Sequence, residues 1–190
     1  MDSIVSVKAV VRRSMRNKRN ALEPDVKNSA DEQINNKLFS LASKLPPATI
    51  VSAYLPTLSE IDILPFVRRC MVLGLPVVVP RWNGVDYELA TLPGAERERL
   101  EVGPMGVLQP PQTALKVSPE VVGLWVVPAL AYTCSGRRLG YGGGWYDRML
   151  SSADERSVKI GVAYSFQVLG EIPQTELDVP VTFVVTSDFL

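Results

Sequence analysis

Residues 136–150 read GRRLGYGGGWYDRML and crowd glycines at 140, 142, 143 and 144 beside Arg138, Tyr141, Trp145, Tyr146, Asp147 and Arg148. Glycines at this density allow positive φ and bring backbone N–H groups close to a ligand, and N–H groups at a helix start favour an anion. A phosphate is the natural guest. No lysine followed by serine or threonine comes after the last glycine, so this is not the P-loop pattern, and glycines 140, 142 and 144 miss the dinucleotide spacing. The alternative is a tight strand-to-helix turn that needs flexible residues.

A second cluster lies near the start of the chain, where Lys8, Arg12, Arg13, Arg16, Lys18 and Arg19 fall within twelve positions. At about 100° per residue, Lys8, Arg12, Arg16 and Arg19 share roughly an 80° arc of a helix, bordering an apolar stripe of Ile4, Val11, Met15 and Leu22. A nucleotide polyphosphate held between this edge and the glycine loop uses both features; a solvated basic face or a nucleic-acid contact is the other reading. Arg138 can add a bidentate phosphate contact, and Arg148 can pair on its own helix. Asp147 can hold Mg²⁺, which keeps waters and takes one or two carboxylates plus phosphate oxygens, or it can simply suit a helix's first turn. Trp145 and Tyr146 can stack a flat heterocycle or pack in a core. Glu60 and Asp62, in YLPTLSEID, follow a strand; either can cap a helix, and a carboxylate there can accept from the donor edge of a pterin-like ring. Arg81 is a further strand-end charge, with a surface ion pair as its plainer role.

The elements that must position these residues show in the hydrophobic pattern. Apolar residues Ile4, Val7, Val11, Met15 and Leu22 predict a helix over 4–22, and Pro24 opens a second over 24–45, stopped by Pro46 and Pro47. Strands are predicted over 49–56, 75–82, 121–132, 158–166 and 181–189, with helices over 61–73 and 145–154 and an edge strand or side hairpin over 85–92. Residues 93–119, rich in proline and glycine, read as a long surface connection. Short β-branched strands alternating with helices indicate a three-layer α/β/α domain with a mostly parallel central sheet and a small antiparallel edge hairpin. One domain over residues 1–190 is expected. In such sheets ligands sit beyond the carboxyl ends of the strands, which is where the glycine loop falls.

Composition removes several function classes. Lysine plus arginine equals aspartate plus glutamate at 20 each, so no global field draws nucleic acid or a membrane surface. There is no histidine, which excludes a serine–histidine triad and histidine-ligated zinc. Cys70 and Cys134 form no disulfide framework or metal-ligand spacing, and the start is a poor signal peptide. A reduced, cytoplasmic protein is expected, and a monomer.

Taken in order, these segments resemble the 5-formyltetrahydrofolate cyclo-ligase family: K-x-x-V-R at residues 8–12, YLPTLSEID, VVVPR, G-x-x-G-V-x-x-P at 103–110, VVPALAY, and above all R-L-G-Y-G-G-G-W-Y-D-R at 138–148. The resemblance implies ATP- and Mg²⁺-dependent conversion of 5-formyltetrahydrofolate to 5,10-methenyltetrahydrofolate, with ATP phosphorylating the formyl oxygen and N10 attacking the activated carbon. It implies that Lys8, Arg12, Arg138, Leu139, Gly140, Tyr141, Gly142, Gly143, Gly144, Trp145 and Tyr146 border ATP. By the same resemblance, Asp147 holds Mg²⁺, and Leu55, Glu60, Tyr141, Gly142, Gly143, Gly144 and Trp145 border the folate. Trp145 stands where tyrosine is more frequent. The chain also departs from the family's His-Asp-x-x-x-Asp near the C-terminus, with Leu177, Asp178 and Thr182, and has Ile63 and Thr133 where threonine and aspartate are common. A relative that binds nucleotide or folate without turnover is the alternative expectation.

Overall fold

The computed structural model describes residues 2–57 and 59–188. Two helices, α1 (Asp2–Asn20) and α2 (Pro24–Ala42), lead into β1 (Ile50–Ser52), α3 (Leu64–Val72), β2 (Val77–Trp82) and β3 (Tyr87–Thr91). Then follow β4 (Glu101–Val102), β5 (Leu108–Gln109), β6 (Lys116–Val117), β7 (Val122–Pro128), β8 (Ala131–Tyr132) and β9 (Arg138–Leu139). The glycine loop leads into α4 (Trp145–Ser151), and β10 (Val158–Val162) and β11 (Phe183–Val185) finish the order.

Seven strands form the main sheet in the order β11-β10-β7-β1-β2-β3-β6. The contacts among β11, β10, β7, β1 and β2 are parallel, and at one edge β3 runs opposite to its neighbours β2 and β6. Strands buried on both faces read as continuous apolar runs, and alternate side chains of β7 go to opposite layers. Leu124 and Val126 join the α2 and α3 side with Ile34, Leu38, Phe66 and Val67. Trp125 and Val127 join the α4 side with Met149 and Leu150, and so does Val122, beyond the register shift between the β1–β7 pairs Ile50–Val122 and Val51–Leu124. A smaller cluster of Met15, Leu130, Ala131, Leu139 and Ile172 seats the second half of α1 on the β8–β9 hairpin, beyond the strands' carboxyl ends. The α/β/α expectation and the antiparallel edge therefore hold.

Several boundaries differ for local reasons. The strand expected over 121–132 breaks after Pro128, and the chain leaves the sheet to form the β8–β9 hairpin, whose Leu130 N–H bonds Leu139. The strand expected over 49–56 keeps ladder pairing only over 50–52, although the Ala53 N–H still reaches Val78 O. The helix expected over 61–73 starts at Leu64, because Asp62 and Ile63 are used to turn the chain: Asp62 Oδ1 accepts the Leu64 N–H at 2.9 Å. Similarly, α2 ends at Ala42 and α4 at Ser151, each earlier than expected, while α1 covers residues 2–20 rather than 4–22. The strand expected over 158–166 closes at Val162, ahead of a 3-10 turn at Ser165–Gln167. That expected over 181–189 is paired over 183–185, with Phe189 outside the described residues. Residues 93–119 are more ordered than a surface connection, since β4 and β5 pair there and β6 adds to the sheet edge. Finally, Ile4 and Val7 are exposed, so the apolar stripe of α1 is buried only from Val11 onward. Among the described residues no helix is long and apolar enough to cross a membrane.

Candidate active site

Beyond the carboxyl end of β7 lies a cleft of about 530 Å³, walled on one side by the glycine loop and α4 and on the other by residues 175–179. The loop's shape follows from its glycines. Gly142 has φ +110°, outside the region L side chains favour, and a Cβ at Gly143 would lie 2.1 Å from the Trp145 indole nitrogen. Because α4 has only seven residues, its dipole adds little, and affinity for an anion must come from side-chain cations.

Arg12, Arg138 and Arg148 line this cleft, and Lys8 stands at its rim. Arg138, on β9, is 4% exposed, and its Nη2 donates to Asp147 Oδ1 at 2.5 Å. The same Asp147 oxygen accepts the Val179 N–H at 3.1 Å, and Asp147 Oδ2 takes no hydrogen bond among the described residues. Arg138 Nε is likewise buried with no partner there. Arg12 on α1 lines the cleft, and its Nε donates to Gly140 O at 2.9 Å, fixing helix to loop. Lys8, one helical turn earlier and buried, pairs with Asp178 at 2.5 Å. Asp178 also accepts the Thr175 N–H at 2.6 Å. Burial pulls the Asp178 carboxyl up, but the bonds from Lys8 and Thr175 outweigh it and hold it below the ordinary carboxylate value.

A second, smaller centre opens from this one. Glu60 is buried; its Oε2 accepts the Thr57 N–H at 2.8 Å and the Thr57 hydroxyl at 3.0 Å, while its Oε1 accepts the Tyr141 hydroxyl. Arg19 Nη1 donates to the same phenol oxygen at 2.8 Å and its Nη2 to Ser59 Oγ at 3.0 Å. Burial, with the Glu60 charge next, pushes the Tyr141 phenol well above its ordinary value, so it stays a protonated donor. Tyr141 thus joins the glycine loop to the strand-end carboxylate.

The expected residues therefore converge in part. Arg12, Arg138, Gly140, Tyr141, Gly142, Gly143, Gly144, Trp145, Tyr146 and Asp147 all line the cleft. Lys8 reaches its rim through Asp178, and Glu60 joins through Tyr141. Leu139 is buried beneath the loop and Leu55 packs in the core on the α2 and α3 side. The four-cation edge is a three-cation edge, because Arg16 is exposed. Trp145 packs edge-on against Trp82 and Tyr87, with ring centroids 5.8 and 5.0 Å away, and Arg148 lies over its ring while pairing with Asp86. Packing is thus the observed role of Trp145. Arg81, read as a surface charge, is a buried partner of Glu88 that also donates to Pro111 O and Ala114 O. Thr133 accepts the Arg137 N–H inside the hairpin turn, and Thr182 accepts the Lys159 N–H at the amino ends of β10 and β11, away from the cleft. Sequence reasoning gave Asp178 no role of its own and Arg19 only a place on the basic edge; their partners lie 170 and 122 residues away.

The model of the 5-formyltetrahydrofolate cyclo-ligase family matches residues 4–187. The chain is 34% identical to 5-formyltetrahydrofolate cyclo-ligase of Mycolicibacterium smegmatis over 72% of each protein, and 27% identical to that of Escherichia coli over 90% of this chain and 96% of the other. Its fold superposes on the NMR structure of Aquifex aeolicus 5,10-methenyltetrahydrofolate synthetase with TM-score 0.81 at 30% identity, covering 96% of this chain and 90% of that one. With nearly its whole length matched and the glycine loop, basic helix and strand-end carboxylate gathered at one end of the sheet, the chain belongs to the 5-formyltetrahydrofolate cyclo-ligase family of enzymes.

Proposed function

We propose that the protein uses ATP to cyclise 5-formyltetrahydrofolate to 5,10-methenyltetrahydrofolate, releasing ADP and phosphate. The observation that carries this reading is the meeting of Arg12, Arg138 and the glycine loop in one cleft that connects through Tyr141 to the buried Glu60. The formyl oxygen takes the terminal phosphoryl group and ADP leaves; N10 then attacks the activated carbon, closing the ring and giving up its proton, and phosphate departs to leave the methenyl C=N bond. A chain without histidine suits this chemistry, since positioning and charge neutralisation supply most of it.

In this reading the glycine loop lets the phosphates approach its backbone, while Arg12 and Arg138 compensate their charge and Lys8 adds a third cation from α1. Glu60 accepts from the donor edge of the pterin, and Leu55 forms part of the apolar support beneath it. No group of three acidic or sulfur ligands occurs among the described residues, yet Asp147 has an oxygen without a hydrogen bond in the phosphate cleft. That fits an ion carried mainly by phosphate oxygens and water, with Asp147 as a protein ligand. Bound there, Mg²⁺ would neutralise phosphate charge. The departure at Thr182, which motivates a non-catalytic relative, lies in the strand pairing with Lys159 and leaves the cleft residues untouched.

The test is absorbance in the long-wavelength band of the methenyl product, with 5-formyltetrahydrofolate and Mg²⁺ present and ATP added or omitted. An ATP-dependent rise that is lost in Arg138→Ala supports the reading. No rise in the wild type, with ATP still binding calorimetrically, would replace it with the binding-only relative.

A further inference from the structure

Arg19 is 6% exposed, and its Nε has no hydrogen-bond partner among the described residues. With Glu60 it borders a small cavity of about 10 Å³, roughly one water in size, beside Pro128 and Ala129. Between the two charged groups sits a single atom, the Tyr141 phenol oxygen, which donates to Glu60 Oε1 and accepts from Arg19 Nη1. Thr57 occupies the other Glu60 oxygen. Glu60 therefore has one oxygen with which to read a ring N–H, and whatever stands next to that N–H must suit Arg19.

On the proposed substrate the ring N3–H has two neighbours. On one side is a 2-amino group, a donor that a guanidinium repels; on the other is the 4-oxo group, an acceptor that it matches. We propose that Arg19 is a specificity-determining residue that donates to the 4-oxo group while Glu60 accepts from N3–H, the two together replacing the hydrogen bonds now made by the Tyr141 phenol. This inference rests on the folate reading above. Its chemical content is selection for an oxo-pterin over a 4-amino-pterin, because the amino analogue has no N3–H for Glu60 and turns a donor toward a buried guanidinium that cannot accept one. Ser59, bonded to Arg19 Nη2, keeps the guanidinium in place when the phenol moves aside.

The experiment measures calorimetric dissociation constants of folic acid and its 4-amino analogue, aminopterin, for the wild type, Arg19→Met and Arg19→Lys. The wild type should prefer folic acid by about 10- to 100-fold, the usual range for one hydrogen bond to a buried charged group. Arg19→Met should shrink that ratio without abolishing it, because aminopterin still offers Glu60 no N3–H, and Arg19→Lys should restore part of what Arg19→Met loses. A merely structural arginine would weaken both ligands equally and leave the ratio unchanged, which would overturn the inference. Should Arg19→Met not fold, Tyr141→Phe serves: with no phenol to displace, folic acid should bind several-fold more tightly, and unchanged or weaker binding counts against the inference. Wild-type ATP-dependent methenyl formation, run on the same preparation, separates the cases. If it proceeds while the ratio ignores residue 19, the inference alone fails; if the wild type binds neither pterin and makes no product, the folate reading fails with it.

Discussion

The Arg138–Asp147 pair predicts an asymmetry that can be measured as stability. The Arg138 side chain is 3% exposed and Asp147 is its one carboxylate partner, whereas the Asp147 side chain is 23% exposed and also accepts the Val179 N–H. Asp147→Ala therefore strands a buried guanidinium, whose cost falls at the lower end of the range for broken buried pairs, about 3 kcal/mol, because one side of the pair opens on the cleft. Arg138→Met strands only a partly solvated carboxylate that keeps one backbone donor, and methionine fills most of the lost stem volume, so about 1 kcal/mol is expected. For a chain of this size these correspond to falls in Tm of roughly 6–12 °C and 2–4 °C. The double variant should be no less stable than Asp147→Ala alone, since removing the arginine also removes the unpaired charge. Urea unfolding followed by circular dichroism gives all three values. If Arg138→Met proved as damaging as Asp147→Ala, the guanidinium would have to be solvated or held by its stem, and the reasoning would be refuted.

Two further expectations follow from the titrating groups. The Asp178 carboxyl is held below its ordinary value, so its ion pair with Lys8 contributes stability above about pH 4 that is lost as pH falls through the lower folded value; the stability gap between the wild type and Asp178→Asn should be largest near neutrality and shrink toward pH 3, and a gap that widened in acid would contradict the assignment. Burial pushes the Cys70 thiol up to about 12, whereas Cys134 is exposed; a thiol reagent at pH 8 should label one cysteine quickly and the second only on unfolding, and two fast equivalents would show that Cys70 is accessible.

The parts of this molecule that could be read in advance are those governed by local pattern. Runs rich in β-branched residues, such as those within 75–82 and 158–166, mark buried strands, and Pro24 and Gly74 punctuate helices as their backbones require. The glycine loop was legible because few structures other than a close backbone approach need so many glycines together. What escaped were choices made by partners far away in sequence. Nothing local reveals that the 121–132 run divides at Pro128, since the deciding contacts are those of Leu130 and Ala131 with α1 and Ile172. Likewise, helical periodicity put Arg16 and Arg19 on one edge, yet Arg19 turns inward onto Tyr141 and Ser59 while Arg16 stays in solvent.

The same long-range pairing changes how phosphate affinity must be reckoned. Each cation of the site is already engaged within the protein: Lys8 with Asp178, Arg138 with Asp147, Arg12 with the Gly140 carbonyl, and Arg19 with the Tyr141 phenol. Under the proposed function a polyphosphate would therefore exchange partners with these groups and gain only the difference between its own contacts and those it displaces or shares. Arg12 illustrates the sharing, since its Nε is bonded to Gly140 O while the remainder of the guanidinium lines the cleft beside Gly142. Arg138, whose Nη1 lies beside Gly140, would likewise meet phosphate without abandoning Asp147. Prepaired cations cost the folded chain no buried, uncompensated charge, and they arrive oriented by their partners, so little ordering is left to be done on binding. If the proposed function holds, that balance lets a protein with zero formal net charge build a phosphate site: the field is local, and the carboxylates that neutralise it also aim it.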